Sequence, residues 1–183
     1  GLTESMDYWA FSDVFEEQGV VRTPFYGGFG LIAEDHIPKP ALNVFRILHK
    51  LGDRRIAADS DSTLITKLRD GGLALALWDY APPTGTGATY TMPSTAAAPA
   101  KSFDLDLKNV TPNATAEVWR VDDDHGNVLK EFDAMGRPPG DLTQAQVAKL
   151  RVAGAMSPPE RLHLDHGHLR LTIPAHGLAV AII

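Results

Sequence analysis

The chain has 183 residues, 44% of them hydrophobic and 22% charged, which is enough apolar material for one domain or two small ones and too much for disorder. A formal charge of −6 argues against a nucleic-acid groove or an anionic membrane surface and favours a neutral or polar partner. The lack of cysteine excludes disulfides, thiolate metal sites and cysteine nucleophiles.

Residues 6–11 read as a short strand running into a loop that carries Ser12, Asp13, Glu16 and Glu17. The loop continues through TPFYGGFGLIAEDHIPKP, where Gly27, Gly28 and Gly30 permit tight turns among aromatic side chains. Pro40 stands where a helix begins, and Ala41, Val44, Phe45, Leu48 and Leu51 follow at helical spacing until Gly52. The spacing predicts an amphipathic helix over 40–51. Beyond Gly52 the apolar period drops from about 3.6 to 2, which places a domain edge near residue 53.

Strands are expected over 55–58, 63–69, 73–80, 102–107, 114–122, 128–133, 162–165, 168–173 and 178–183. RDGG and DHG between such runs read as hairpin turns, and DDDHGN as a further turn. With Gly and Pro both frequent, these short runs indicate a mainly β chain folded as an antiparallel β-sandwich. Residues 81–101, rich in Pro, Gly, Thr and Ala, are expected to form a mobile loop. A short helix is expected over 141–153, capped by Asp141 or Thr143, with Gln146 in the capping-box position for Thr143 and with Val147 and Leu150 facing inward. No run reaches the roughly eighteen apolar residues of a membrane span, and the first residues lack the basic and apolar regions of a signal peptide.

Trp9 at the end of the first strand and the carboxylates of Glu16 and Glu17 after it have the chemistry of sugar binding. An indole face packs on the C–H face of a sugar, and carboxylates accept hydrogen bonds from its hydroxyls. Taken alone, the same residues read more readily as a core anchor and a solvated acidic surface. Adjacent side chains on an extended segment point apart, which argues against Glu16 and Glu17 as a catalytic pair. HLDHGH gathers His163, His166 and His168 around Asp165, a set with metal-ligand chemistry. Because Leu162, Leu164, Leu169, Leu171 and Ile173 supply the inward face there, the histidines read as exposed turn positions, and no metal or other cofactor is expected. DDDHGN lacks the spacing and the distal glutamate of a calcium loop. NAT at 113–115 fits the short N-glycosylation pattern.

The string YWAFSDVFEEQG, followed by TPFYGGFGLIAEDHIPKPALNVFRILHKLG, resembles the segment around the eighth barrel strand and eighth helix of glycoside hydrolase family 39, the β-xylosidase family. The resemblance covers about the first 52 residues; the remainder resembles more loosely the β-sandwich that follows the barrel in these enzymes, down to the closing LRLTIPAHGLAVAII. It implies an antiparallel β-sandwich preceded by the last strand and helix of a (β/α)8 barrel, with residues 1–52 as the remnant of the catalytic barrel and residues 53–183 as the accessory sandwich domain. It further implies a parent enzyme, a retaining β-xylosidase that removes non-reducing-end xylose from β-1,4-xylo-oligosaccharides. Such enzymes use two carboxyl groups about 5 Å apart. In the family these lie on the fourth and seventh barrel strands, so the resemblance places both upstream of Gly1, assigns no catalytic residue here and leaves this chain alone inactive. By position, Trp9 is the aromatic platform under the sugar of the glycone subsite, and Glu16 and Glu17 are hydroxyl-binding carboxylates. Phe25 and Tyr26 belong to the loop beside the pocket, Tyr26 standing where a histidine is usual. The bacterial cytoplasm or periplasm is the expected compartment.

One strand and one helix cannot close a barrel, which leaves Trp9, Phe11, Val14, Phe15, Phe25, Phe29, Leu31 and one stripe of the helix in need of apolar partners. The expected partners are a xylose-containing oligosaccharide and either the missing catalytic barrel or a second copy, by self-association through residues 1–52; no nucleic acid and no membrane is expected. The alternative is a stand-alone, non-catalytic carbohydrate-binding or structural β-sandwich, holding sugar on Trp78, Tyr80 or Trp119.

Overall fold

The computed structural model describes residues 5–14, 19, 22–80 and 98–183. In chain order its elements are β1 (Ile32–Ala33), β2 (Ile37–Pro38), α1 (Pro40–Leu48), β3 (Arg54–Ile56), β4 (Thr63–Lys67), β5 (Leu73–Trp78), β6 (Lys101–Asp106), β7 (Thr115–Val121), α2 (Leu129–Ala134), α3 (Gln144–Ala153), β8 (Glu160–His163), β9 (His168–Ile173) and β10 (Leu178–Ile182). The chain is mainly β and its strands pair antiparallel. Two compact units are formed, residues 1–43 with 127–155, and residues 44–126 with 156–183. That division differs from a single edge near residue 53: residues 127–155, counted by sequence with the sandwich, group with the N-terminal residues. Of the loop expected over 81–101, residues 81–97 lie outside the described residues. Among the described residues no helix is long and apolar enough to cross a membrane.

The second unit is the sandwich. One sheet has the order β3-β4-β5-β10-β7-β8, and β6 pairs with β9 in a second sheet. Strand alternation sends Leu75 and Leu77 of β5, Ala116 and Val118 of β7, and Ala179 and Ala181 of β10 to one face. There they meet Phe103 of β6 and Leu169, Leu171 and Ile173 of β9 in a shared core. The residues between them, Ala76, Val121 and Val180, point the other way and are covered by Ile47 of α1, with Val44, Leu48 and Leu51 beside it. The central strands β5, β10 and β7 are therefore covered on both faces, and each fully enclosed Leu or Ile contributes about 1.5–3 kcal/mol. Gly52 ends the chain's run out of α1 because its α-carbon sits against β4: a Cβ there would lie 2.1 Å from the Lys67 carbonyl oxygen, while its N–H donates to Thr66 Oγ1 at 2.8 Å.

Three expected elements differ. Residues 6–11 form no regular strand; the segment meets the 29–32 stretch through an isolated parallel bridge between Ser12 and Ile32 and through backbone bonds that include Ile32 N–H to the Phe11 carbonyl at 3.1 Å. A strand needs a continuous ladder to be regular, and an isolated bridge does not supply one. Residues 128–133, expected as a strand, are helical as α2, because Val128 and Phe132 at i and i+4 bury one side and Asn127 Oδ1 accepts the Leu129 N–H at 3.0 Å. DHG is not the turn of a hairpin between sheet neighbours. Asp165 and His168 do form a local bridge, but β8 pairs with β7 and β9 with β6, so the turn carries the chain from one sheet to the other.

In the first unit, β1 and β2 flank a 3-10 turn at Glu34–His36, and a small core gathers Phe25, Ala33, Ile37, Val128, Phe132, Val147 and Leu150. The capping box of α3 is present: Thr143 Oγ1 accepts the Gln146 N–H, and the Gln146 side chain accepts the Thr143 N–H. Val147 and Leu150 are its buried side.

On the exposed surface of the sandwich, Arg170 links Asp104 (Nε to Oδ2, 3.0 Å) and Asp165 (Nη1 to Oδ2, 2.9 Å). His168 Nδ1 lies 2.8 Å from Asp104, and His166 Nδ1 lies 2.7 Å from Asp165. The hydrogen bond from His168, then that from Arg170, holds the Asp104 carboxyl below its usual range; His166 and then Arg170 do the same for Asp165. Carboxyls depressed in the folded state favour folding above their unfolded value near 3.9 and lose that contribution as pH falls through the folded value.

Arg170→Met should therefore lower the thermal midpoint at neutral pH, with a gap to the wild type that closes as the pH drops below about 3 and narrows with added salt. A gap that persists in acid would assign the effect to packing of the arginine stem instead. In the shared core, Leu75→Ala should cost about 2–5 kcal/mol in urea unfolding; a loss under about 1 kcal/mol is incompatible with a site closed from both sheets.

Candidate functional site

The residues singled out by sequence for sugar binding fall in the first unit, where residues 9–13 run beside the loop 25–30. Backbone bonds stitch the two together: Ala10 N–H to the Phe29 carbonyl at 3.3 Å, Leu31 N–H to the Ala10 carbonyl at 3.1 Å, and Asp13 N–H to the Ile32 carbonyl at 2.9 Å. The Trp9–Ala10 peptide is cis. At the junction lies Asp13, whose carboxylate is fully enclosed, its side chain 0% exposed. An enclosed carboxylate must be paired and hydrogen-bonded to persist, and here Lys39 Nζ donates to both of its oxygens at 2.9 and 3.0 Å. The same ammonium donates to the Gly28 carbonyl at 2.7 Å. The Gly30 N–H donates to Asp13 Oδ1 at 2.6 Å, and the Tyr26 hydroxyl to the Asp13 carbonyl at 2.9 Å.

This close approach explains two of the loop glycines. A Cβ on Gly30 would lie 2.2 Å from the Asp13 nitrogen, and one on Gly28 2.6 Å from Asp13 Oδ1. Gly27, with φ +102° and open space around it, serves instead as the left-handed turn residue.

Trp9, Ser12, Asp13, Tyr26, Gly28 and Phe29 line a shallow cleft. Trp9 is 70% and Phe29 48% exposed, so each offers an aromatic surface to solvent. Tyr26 is half-buried; burial, and next the charge of Asp13, push its phenol above the ordinary value, and its hydroxyl donates to the Asp13 carbonyl. Phe25 is placed differently from its neighbours: its ring is buried and meets Phe132 edge-on at 5.0 Å, and its backbone has φ +61°. Glu16 and Glu17 lie outside the described residues. Arg22, Glu34, Asp35 and Asp141 line a second, more polar cavity of about 380 Å³ in the same unit. Burial raises the Glu34 carboxyl, and its enclosed Oε2 has no hydrogen-bond partner among the described residues.

An aromatic face beside a firmly held hydroxyl is suited to a pyranose, which presents C–H groups on one face and hydroxyls at its rim. The sequence named Trp9 and Tyr26 but missed Asp13 and Lys39, which stand 26 positions apart; the available signal was a carboxylate set among YWAFSDVF aromatics and a lysine between two prolines. The aromatics proposed for a sugar-binding sandwich are placed less favourably. Trp78 and Trp119 pack against the core beneath α1, Lys50 Nζ lies 4.0 Å over the Trp119 ring, and Tyr80 alone of the three is well exposed. The clustered histidines do not converge. His163 Nδ1 lies 3.2 Å from Thr115 Oγ1, and the other two sit in the ion-pair network; among the described residues no group of three His, Asp or Glu side chains could hold a metal ion.

Over 139 residues the chain is 33% identical to a β-xylosidase of Geobacillus stearothermophilus, a match covering 74% of this chain and 24% of that protein. Its fold superposes along its whole length on a monomeric β-xylosidase from Caulobacter crescentus CB15, with a TM-score of 0.81 and 26% identity, covering 38% of that chain. It does so equally on a family 39 glycoside hydrolase from Xanthomonas axonopodis pv. citri, with a TM-score of 0.77 and 27% identity, covering 37% of that chain. The chain thus spans about a quarter of its curated relative and little more than a third of the two solved structures. The family model of glycosyl hydrolases family 39 matches residues 1–160, and the chain belongs to that family.

Proposed function

We propose that this chain is part of a retaining β-xylosidase that hydrolyses non-reducing-end xylose from β-1,4-xylo-oligosaccharides, and that it supplies one wall of the glycone pocket. The observation that carries this is the exposed Trp9 face lining one cleft with the Tyr26 hydroxyl side, the whole held on a buried ion pair. In this reading Trp9 stacks on the sugar, Tyr26 borders it, and Glu16 and Glu17 accept hydrogen bonds from its hydroxyls. Phe25 acts from beneath, by packing the loop down on Phe132.

Retaining hydrolysis needs a nucleophile and an acid/base carboxyl about 5 Å apart; the family resemblance assigns both to earlier barrel strands, outside this chain. Residues 1–52 are then the eighth strand, loop and helix of the barrel, and the strands after residue 53 the accessory sandwich, with the α2–α3 stretch 127–155 grouped with the barrel remnant. The exposed Met6, Trp9, Phe11 and Val14 support the need for a further surface, either the remaining barrel or a second copy, since such a run of apolar side chains marks an interaction face.

The test is release of 4-nitrophenol from its β-D-xyloside. The 183-residue chain should give no turnover, and a polypeptide continued upstream through the barrel should. In that longer polypeptide Trp9→Ala should raise KM about tenfold, the effect of losing one aromatic–sugar contact. Turnover by the 183-residue chain that disappears in Glu16→Gln or Glu17→Gln would overturn this assignment and place the chemistry within these residues.

A further inference from the structure

We infer that Asp13 and Lys39 are positioning residues for the sugar, acting through Trp9 and Tyr26; this rests on the pocket-wall reading above. The Asp13 carboxylate is wholly enclosed, so it cannot itself meet a ligand. What it does is fix the two strips of chain that line the cleft. Trp9 and Ala10 lie just before Asp13 on one strip; Tyr26, Gly28 and Phe29 form the other.

The first strip carries Asp13 in its own chain, and the second is tied to Asp13 by three separate bonds. Gly30 N–H donates to one carboxylate oxygen, the Tyr26 hydroxyl donates to the Asp13 carbonyl, and the Lys39 ammonium donates both to the carboxylate and to the Gly28 carbonyl. The lysine is itself anchored, immediately ahead of Pro40 and α1, and its N–H donates to the Leu31 carbonyl at 3.0 Å. Removing the ammonium leaves a buried carboxylate with the Gly30 N–H as its one remaining donor among the described residues, an uncompensated charge that favours parting of the strips to admit water. The distance from the indole face to the phenol hydroxyl is then no longer set, and misplacement by about an ångström is costly for a bound substrate.

The experiment uses the ¹⁵N-labelled chain titrated with methyl β-D-xylopyranoside. The Trp9 indole N–H signal, assigned by its loss in Trp9→Phe, reports the sugar, and exchange of the Gly30 amide reports the lock. Lys39→Met should weaken the response at Trp9 about tenfold and speed Gly30 exchange, with the β10 amides still protected. Lys39→Arg, which again offers the carboxylate a fork of donors, should recover much of the affinity, a rescue that a merely space-filling role for the side chain does not predict.

A wild-type chain that responds and a Lys39→Met chain that responds equally would overturn this inference and leave the pocket wall standing. Loss of β10 protection together with the Trp9 response, in both Lys39 variants, would overturn it too, since the pair would then support folding at large. A wild-type chain whose Trp9 signal ignores the glycoside would overturn the pocket wall and the positioning role together.

Discussion

Burial of the Asp13 carboxylate is the constraint from which the first unit's geometry follows. A lone enclosed charge costs several kcal/mol, so a cation and oriented donors have to be supplied. Lys39 is placed to do so by the short β1–β2 pair, which returns the chain from Ile32 to Pro38. The carboxylate in turn needs room for the backbone to reach it, and that need, rather than turn conformation, is what makes Gly28 and Gly30 glycines. The exposed aromatics of the cleft are thus carried on strips that are bonded to each other below the surface, around the Asp13 carboxylate.

The sandwich solves a different problem. β10 is bonded along both edges, to β5 and to β7, and is buried on both faces. Its alternating alanines leave depth for Phe103 and the leucines of β9 on one side, and Val180 fills the space under Ile47 on the other. Charged groups are left to the outer surface, where Arg170 and its two aspartates form a network in water. Exposed networks of this kind add little to stability, and the unit's cohesion comes from the two apolar layers.

Much of this was legible in the sequence because period reports burial directly. The helix from Pro40, the capped α3 and eight of the nine expected sandwich strands follow from apolar spacing and turn residues, with ends that differ by one or a few positions. α2 was misread because VLKEFD offers apolar residues at Val128, Leu129 and Phe132, compatible with either period over so short a window; the Asn127 side chain bonding the Leu129 N–H and Gly136 beyond the helix were the deciding marks. The change of sheet after β8 was illegible, since a tight turn has the same residues whether its flanking strands pair with each other or with different partners. At the site, Trp9 and Tyr26 were visible as residues of sugar-binding type. Asp13 and Lys39 were not, because nothing local distinguishes a loop aspartate that meets water from one that meets a lysine two dozen positions away.

The two units also differ in what they leave uncovered. The sandwich shows solvent Ile56 and Tyr80 as its large exposed apolar side chains among those described, whereas the N-terminal segment shows Met6, Tyr8, Trp9, Phe11, Val14 and Phe29. A pocket wall needs only one such face for its sugar. Hydrogen bonding to the 29–32 segment holds the strip around Trp9, and in a (β/α)8 barrel a strand lies between two neighbours. The surplus of apolar surface thus has a physical origin under the proposed function: a strand that completes a closed sheet presents its remaining side chains to the elements that close around it. The affinity of this chain for a xyloside would accordingly measure one wall, and the difference between that value and the affinity of the closed barrel would measure what the opposite wall contributes.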